Sequence, residues 1–180
     1  CETELQAGTS YMDFIYTLST EAIGRYVYVN LYSPNYVLSL SEIEIWGSGN
    51  PAVEDEEPEL INYALKNNYS SSASNYLSGF EDASSQLTDG VVADEETQGV
   101  TVAYTGTGAT HTFIFDLGAP RDDIKTIKFR GVRIYGNRDF GAEEVTIACA
   151  DTLDSAEPTL CEYTMVDEVL NNAQYHDFVY

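Results

Sequence analysis

One strictly alternating stretch constrains the fold of this chain more than any other feature. Residues 25–31 read RYVYVNL, which puts Val27, Val29 and Leu31 on one face of an extended chain. Because successive side chains of a β-strand point to opposite faces, this period of two predicts a half-buried strand. Short apolar stretches separated by turn residues recur at 100–104, 112–117, 124–130, 132–135 and 145–149. This pattern predicts an all-β fold, an antiparallel β-sandwich of the jelly-roll type.

The strand candidate that follows, LSLSEIEIWG at 38–47, contains a change of phase. Leu38 and Leu40 fall on one face of an ideal strand, whereas Ile43 and Ile45 fall on the other. One extra residue between them would return all four side chains to the same face. The sequence therefore predicts a β-bulge around Ser41 and Glu42.

The charge balance limits the classes of partner. The 180 residues include 30 Asp and Glu against 8 Lys and Arg, a formal net charge of −22. Such a surface repels nucleic acid and anionic membranes, and it suits cations such as calcium or simply keeps the protein soluble. No apolar run approaches the roughly 18 residues of a membrane span. No hydrolase elbow, metalloprotease motif or phosphate loop is present, so we expect a protein that is not an enzyme.

A short motif occurs twice, at the two ends of the chain. YMDFIY at 11–16 returns as YHDFVY at 175–180, and a Cys-Glu pair precedes each copy, at 1–2 and 161–162. A period near 160 residues is that of one whole domain, so the echo indicates a window of a tandem-repeat array. In such an array the partners are adjacent repeats or further copies, joined head to tail.

The cysteines and one sequon favour an extracellular or cell-surface protein. Cys149 and Cys161 flank a loop that contains Asp and Pro and are predicted to form a disulfide. Cys1 would then pair outside the chain or carry a lipid, as in bacterial lipoproteins. Asn68 begins the sequon Asn-Tyr-Ser and is a candidate glycosylation site.

Several motifs resemble discoidin-type domains, which include the coagulation-factor type C domains and the F-type lectins. GRYVYVNLYSPNYVLSLSEIEIWG at 24–47 is similar to the closing strands of that family. INYALKNNYSSSASN at 61–75 is similar to its opening, LTDGV at 87–91 to its Asp-Gly turn, and FIFDLG at 113–118 to a core strand. The resemblance implies a galactose-binding-like jelly roll.

The order of these motifs is reversed relative to a single domain. Residues 1–47 resemble the end of one discoidin-like domain, and 60–180 resemble the opening and central strands of the next. The acidic segment 48–59 between them is predicted to be a linker, with a calcium cluster as the less favoured alternative. Alternatively, both parts pack into one circularly permuted domain.

The resemblance also implies binding residues. Family members hold a structural Ca²⁺ with an Asp of the Asp-Gly turn and a Glu of the last strand, which correspond to Asp89 and Glu42. Asp82, Asp94 and Thr97 could supply further oxygens. Fucose-binding members use a His and paired Arg residues, and the candidates for these roles in this chain are His111, Arg130 and Arg133. Two functions therefore follow: a structural module stabilised by calcium and disulfides, or a calcium-dependent module that binds glycans.

Overall fold

A computed structural model describes residues 2–5, 11–33, 37–49, 60–72, 86–91, 101–104, 109–132, 144–154 and 158–165. These residues include nine strands and one short 3-10 turn. The strands are β1 (Glu2–Leu5), β2 (Tyr11–Ser33), β3 (Val37–Gly47), β4 (Ile61–Asn62), β5 (Tyr69–Ser71), β6 (Thr101–Tyr104), β7 (Ala109–Val132), β8 (Glu144–Ala150) and β9 (Thr159–Met165). The 3-10 turn covers Gln86–Thr88. No helix of the described residues is long and apolar enough to cross a membrane.

The strands form one antiparallel sheet. Its order is β4-β3-β7-β2-β8-β9, with β1 added to β2, β5 to β7 and β6 to β3. The predicted all-β, antiparallel class is confirmed. The jelly-roll sandwich stays a prediction, since a single hydrogen-bonded sheet connects all the described strands.

The two longest strands, β2 and β7, each run through two halves of this sheet. The first half of β2 pairs with the second half of β7, from Tyr11 opposite Val132 to Thr17 opposite Thr126. After register shifts between Thr17 and Tyr26, the second half of β2 pairs with the first half of β7. Irregularities of this kind bend and twist a strand, so the ladder changes direction in its middle. At the bend of β2, a Cβ on Gly24 would lie 2.9 Å from the backbone nitrogen of Ala150, which leaves room only for glycine.

A single main core lies on one face of these strands. Val27, Val29 and Leu31 are fully buried, as their alternation predicted. Both halves of the sheet contribute to the cluster, whose members include Leu38, Leu40, Ile43, Ile45, Phe113, Phe115, Ile127, Phe129, Val145 and Ile147. Tyr16 stacks on Phe129 with ring centroids 5.3 Å apart. The hydrophobic effect at these positions therefore holds the two halves together.

The predicted bulge in β3 is confirmed. The register against β7 shifts between Leu40, opposite Gly131, and Glu42, opposite Arg130, so that Ser41 is the extra residue. The shift returns Ile43 and Ile45 to the face of Leu38 and Leu40, and all four side chains are buried.

The segments on either side of the predicted linker share this sheet. β2 and β3 belong to 1–47, and both pair with β7, which belongs to 60–180. Of the two arrangements that the sequence left open, the structure has the one in which both segments pack within one chain. The assignment of 1–47, 48–59 and 60–180 to two consecutive domains and their linker stays a prediction.

The core contact between Phe129 and Tyr16 gives a direct test of the fold. Phe129→Ala removes a fully buried ring from the position where both segments meet, and we expect a loss of about 3–5 kcal/mol in the free energy of unfolding. Lys125→Ala changes an exposed side chain of the same strand and should alter that free energy by less than about 0.5 kcal/mol. Urea unfolding of both variants measures the difference, and equal stabilities would contradict the core placement.

Candidate functional site

The candidate site begins with a carboxylate that the bulge places in a buried position. Glu42 follows the extra residue Ser41 in β3, and its side chain is only 2% exposed. Its cross-strand neighbour is Arg130 of β7. A bulge redirects side chains and interrupts the ladder, which explains how a charged residue of an inner strand reaches the turn described next.

That turn consists of Asp89 and Gly90, directly after the 3-10 turn Gln86–Thr88. Gly90 has a φ of 82°, a left-handed conformation that favours glycine. The N–H of Val91 donates to Asp89 Oδ1 at 2.7 Å, so the aspartate stabilises its own turn. The Thr88 hydroxyl donates to the carbonyl of Asn67 at 2.8 Å and anchors the turn to the preceding loop.

The turn and the buried carboxylate are in direct contact. The backbone N–H of Gly90 donates to Glu42 Oε1 at 3.1 Å, a hydrogen bond between residues 48 positions apart. The other carboxylate oxygen, Oε2, is buried and has no hydrogen-bond partner among the described residues. A buried, half-satisfied carboxylate is energetically costly unless a proton or a cation neutralises it.

The electrostatics of the site agree with this geometry. Burial raises the pKa of Glu42 to about 8, with smaller upward contributions from the charges of Asp89 and Glu44. The Gly90 N–H acts in the opposite direction but does not offset the burial. The carboxyl group therefore holds a proton at neutral pH unless a positive charge replaces that proton.

Glu42 and Asp89, the two residues matched to the calcium ligands of the family, thus lie at one place. Calcium takes 6–8 oxygens, more than these two side chains supply. Within the described part of the chain, no group of three or more His, Cys, Asp or Glu side chains could hold a metal. Asp82, Asp94 and Thr97, the other predicted ligands, lie outside the described residues.

The candidate sugar-binding residues are not brought together. His111 lies in the first half of β7, opposite Leu31, and is only 4% exposed. Its burial lowers the pKa of the imidazole, and neither ring nitrogen has a hydrogen-bond partner among the described residues. Arg130 lies in the other half of β7, beside Glu42. Arg133 falls outside the described residues.

Cys149 and Cys161 lie on the neighbouring strands β8 and β9, and Asn68 lies immediately before β5. Cys149 is buried on β8, opposite Thr159 of β9. Cys161 belongs to the same strand β9, at the irregularity between Ile147 and Ala148 of its partner, but its side chain lies outside the described ones. The predicted disulfide stays a prediction, as does the external partner of Cys1. Asn68 is exposed immediately before β5, a position that an attached glycan could occupy.

A polar cleft of about 470 Å³ near the bend of β7 was not predicted from the sequence. Arg121 lies over the ring of Tyr63 at 4.3 Å, and the Tyr63 hydroxyl donates to Asp123 Oδ2 at 2.7 Å. The remaining lining residues are Glu21, Gly49, Pro120 and Asp122. The cleft unites distant parts of the chain, and no local motif indicates it.

The buried carboxyl predicts an unusual dependence on pH in calcium-free buffer. A raised pKa in the folded state means that folding favours the protonated form, so this contribution is complete below about pH 4.5. It is then lost as the pH rises through about 8. We expect Glu42→Gln to be more stable than the wild type at pH 9 by about 2–4 kcal/mol, and to differ little at pH 4.5.

Denaturant unfolding in a chelator at several pH values measures this difference. Glu44→Gln is the matched control, because Glu44 lies two residues further along β3 and is only partly buried. Its carboxylate lies 3.9 Å from the Lys128 ammonium group. Parallel pH profiles for wild type and Glu42→Gln would contradict the raised pKa.

Comparison with known proteins finds no matching family model, no matching curated protein and no matching solved structure. The resemblance to discoidin-type domains therefore rests on the sequence motifs quoted above and stays a prediction.

Proposed function

We propose that this chain is a non-catalytic, extracellular structural module of the discoidin-like kind, one repeat of a fibre, stalk or surface assembly. Calcium and disulfides stabilise it. The single observation that carries the calcium part is the contact between the buried Glu42 carboxylate and the Asp89-Gly90 turn.

A cation at this site would remove an electrostatic defect. Glu42 Oε2 is buried without a hydrogen-bond partner among the described residues, and the negative charge of Asp89 adds to the burial that keeps the Glu42 carboxyl protonated when no cation is bound. A divalent cation neutralises both carboxylates, and calcium accepts the mixed carboxylate and carbonyl coordination that a strand and a turn can offer. The net charge of −22 attracts cations to the whole surface.

The site also has a structural position. Glu42 belongs to 1–47, and the turn belongs to 60–180, so a bound cation would link the two segments of the sheet. In this role the cation would hold the two segments together, which requires no catalytic residue. It fits a module whose task is mechanical persistence outside the cell.

The repeat part of the proposal rests on the echo of YMDFIY at 175–180 and on the two Cys-Glu pairs. The alternative, calcium-dependent glycan binding, has less support because His111 and Arg130 lie in opposite halves of β7.

Calcium binding predicts a shift in thermal stability. At 100 times its dissociation constant, calcium should add about 2.7 kcal/mol to the free energy of unfolding, or several degrees in the melting temperature. Excess chelator should reverse the shift. Calorimetry with and without calcium measures it.

Two matched variants assign the shift to the site. Glu42→Gln should abolish the calcium effect, because an amide adds no charge, whereas Glu44→Gln should retain it. An unchanged melting temperature of the wild type in calcium would overturn the proposal, and an equal loss in both variants would place the cation elsewhere.

A further inference from the structure

The sheet is built from two segments of the chain that are separate in sequence. The donor segment, 11–47, contributes β2 and β3, and the acceptor segment, 61–165, contributes β4 to β9. β7 of the acceptor lies between the two donor strands and pairs with both along its second half. The core is built in the same way, with Val27, Val29 and Ile43 of the donor against Phe113 and Phe129 of the acceptor.

The polar contacts also cross between donor and acceptor. Arg25 of the donor forms a two-pronged ion pair with Asp116 of the acceptor, at 2.7 and 2.8 Å. Asn30 accepts a hydrogen bond from the Thr112 hydroxyl at 2.7 Å. Glu42 accepts the Gly90 N–H, as described above. Every one of these contacts would form equally well with the donor of another copy, because its surroundings would be identical.

The sequence carries the beginning of the donor twice. Tyr11–Tyr16 are the residues that pair with Ile127–Val132 of β7, and their Tyr, Asp, Phe and Tyr recur at 175, 177, 178 and 180. The ladder of β7 is therefore matched by a sequence that this chain contains more than once. The donor of another copy presents the same pairing sequence to β7.

We propose that the donor segment exchanges between copies of this chain, and that the cation clamped by Glu42 and the Asp89-Gly90 turn controls the exchange. The partner is a second copy of the chain, bound through the same β2–β7 and β3–β7 ladders. The control by calcium rests on the proposed function; the exchange itself does not. A cation that spans both segments must leave before the donor can leave, so calcium slows the exchange.

A disulfide trap in the intact chain tests this proposal. Tyr26 and Asp116 are cross-strand partners in β2 and β7, and the Cα separation of antiparallel partners suits a disulfide. One chain carries Tyr26→Cys, a second carries Asp116→Cys, and the two are mixed at high concentration with calcium or with chelator. A bond between the two introduced cysteines, identified by peptide mapping, forms only when one chain's donor occupies the other chain's acceptor.

We expect heterodimers to accumulate in chelator, and to form about a hundredfold more slowly at 100 times the dissociation constant of calcium. The double variant in one chain should close an intrachain bond and shows that the pair can bond. Asn30→Cys and Thr112→Cys repeat the test at a second cross-strand pair. Adding Glu42→Gln should make the rate independent of calcium, and adding Glu44→Gln should preserve the dependence.

Each outcome decides a different claim. An intrachain bond in the double variants without any heterodimer in chelator would overturn the exchange. Heterodimers that form at equal rates in calcium and chelator would overturn the control. The melting temperature of the same wild-type sample then shows whether the calcium site itself exists, so failure of this inference and failure of the proposed function are distinguishable.

Discussion

The antiparallel ladder between β2 and β7 joins strands from opposite sides of the predicted linker, and the other described strands are arranged around this ladder. β3 and β5 pair with β7 on one side of the ladder, and β1 and β8 pair with β2 on the other. An exposed edge leaves backbone donors and acceptors without partners, so the long strands need these neighbours along their whole length. The register between the two strands shifts in the middle of the ladder, so that each strand runs through both halves of the sheet. Side chains from both halves then pack in one core.

The basic side chains of the protein are concentrated on one strand of this ladder. In a chain with eight Lys and Arg residues, β7 alone holds four: Arg121, Lys125, Lys128 and Arg130. Acidic residues of the flanking strand β3 face this strand, with Glu42 opposite Arg130 and Glu44 opposite Lys128. The Lys128–Glu44 separation of 3.9 Å is a weak, half-buried pair. Half of the Lys and Arg residues therefore lie on the one strand that pairs with both β2 and β3.

Local periodicity made several features predictable. The alternation of Val27, Val29 and Leu31 and the change of phase before Ile43 depend only on the period of two in a strand, and the structure confirms both. The closeness of Glu42 to Asp89 was expected only from a resemblance, since nothing local joins residues so far apart. The cleft at Arg121 and Tyr63 was not foreseen, because it depends on how a bend in β7 meets the loop after β4. The pairing of the strands could not be predicted either, because the hydrophobic pattern indicates which face of a strand is buried but not which strand lies beside it.

The distance in sequence between β2 and β7 has a consequence for biosynthesis. Tyr11 pairs with Val132, so roughly 120 residues must be made before the ladder can be completed, and non-local pairings of this kind fold slowly. At about 5–20 residues per second, the apolar face of β2 waits several seconds or more for its partner. During that interval the nascent chain presents an unpaired strand, which a neighbouring nascent chain on the same message could also bind. If copies exchange strands as proposed, the rate of elongation and the spacing of ribosomes therefore affect which copies pair.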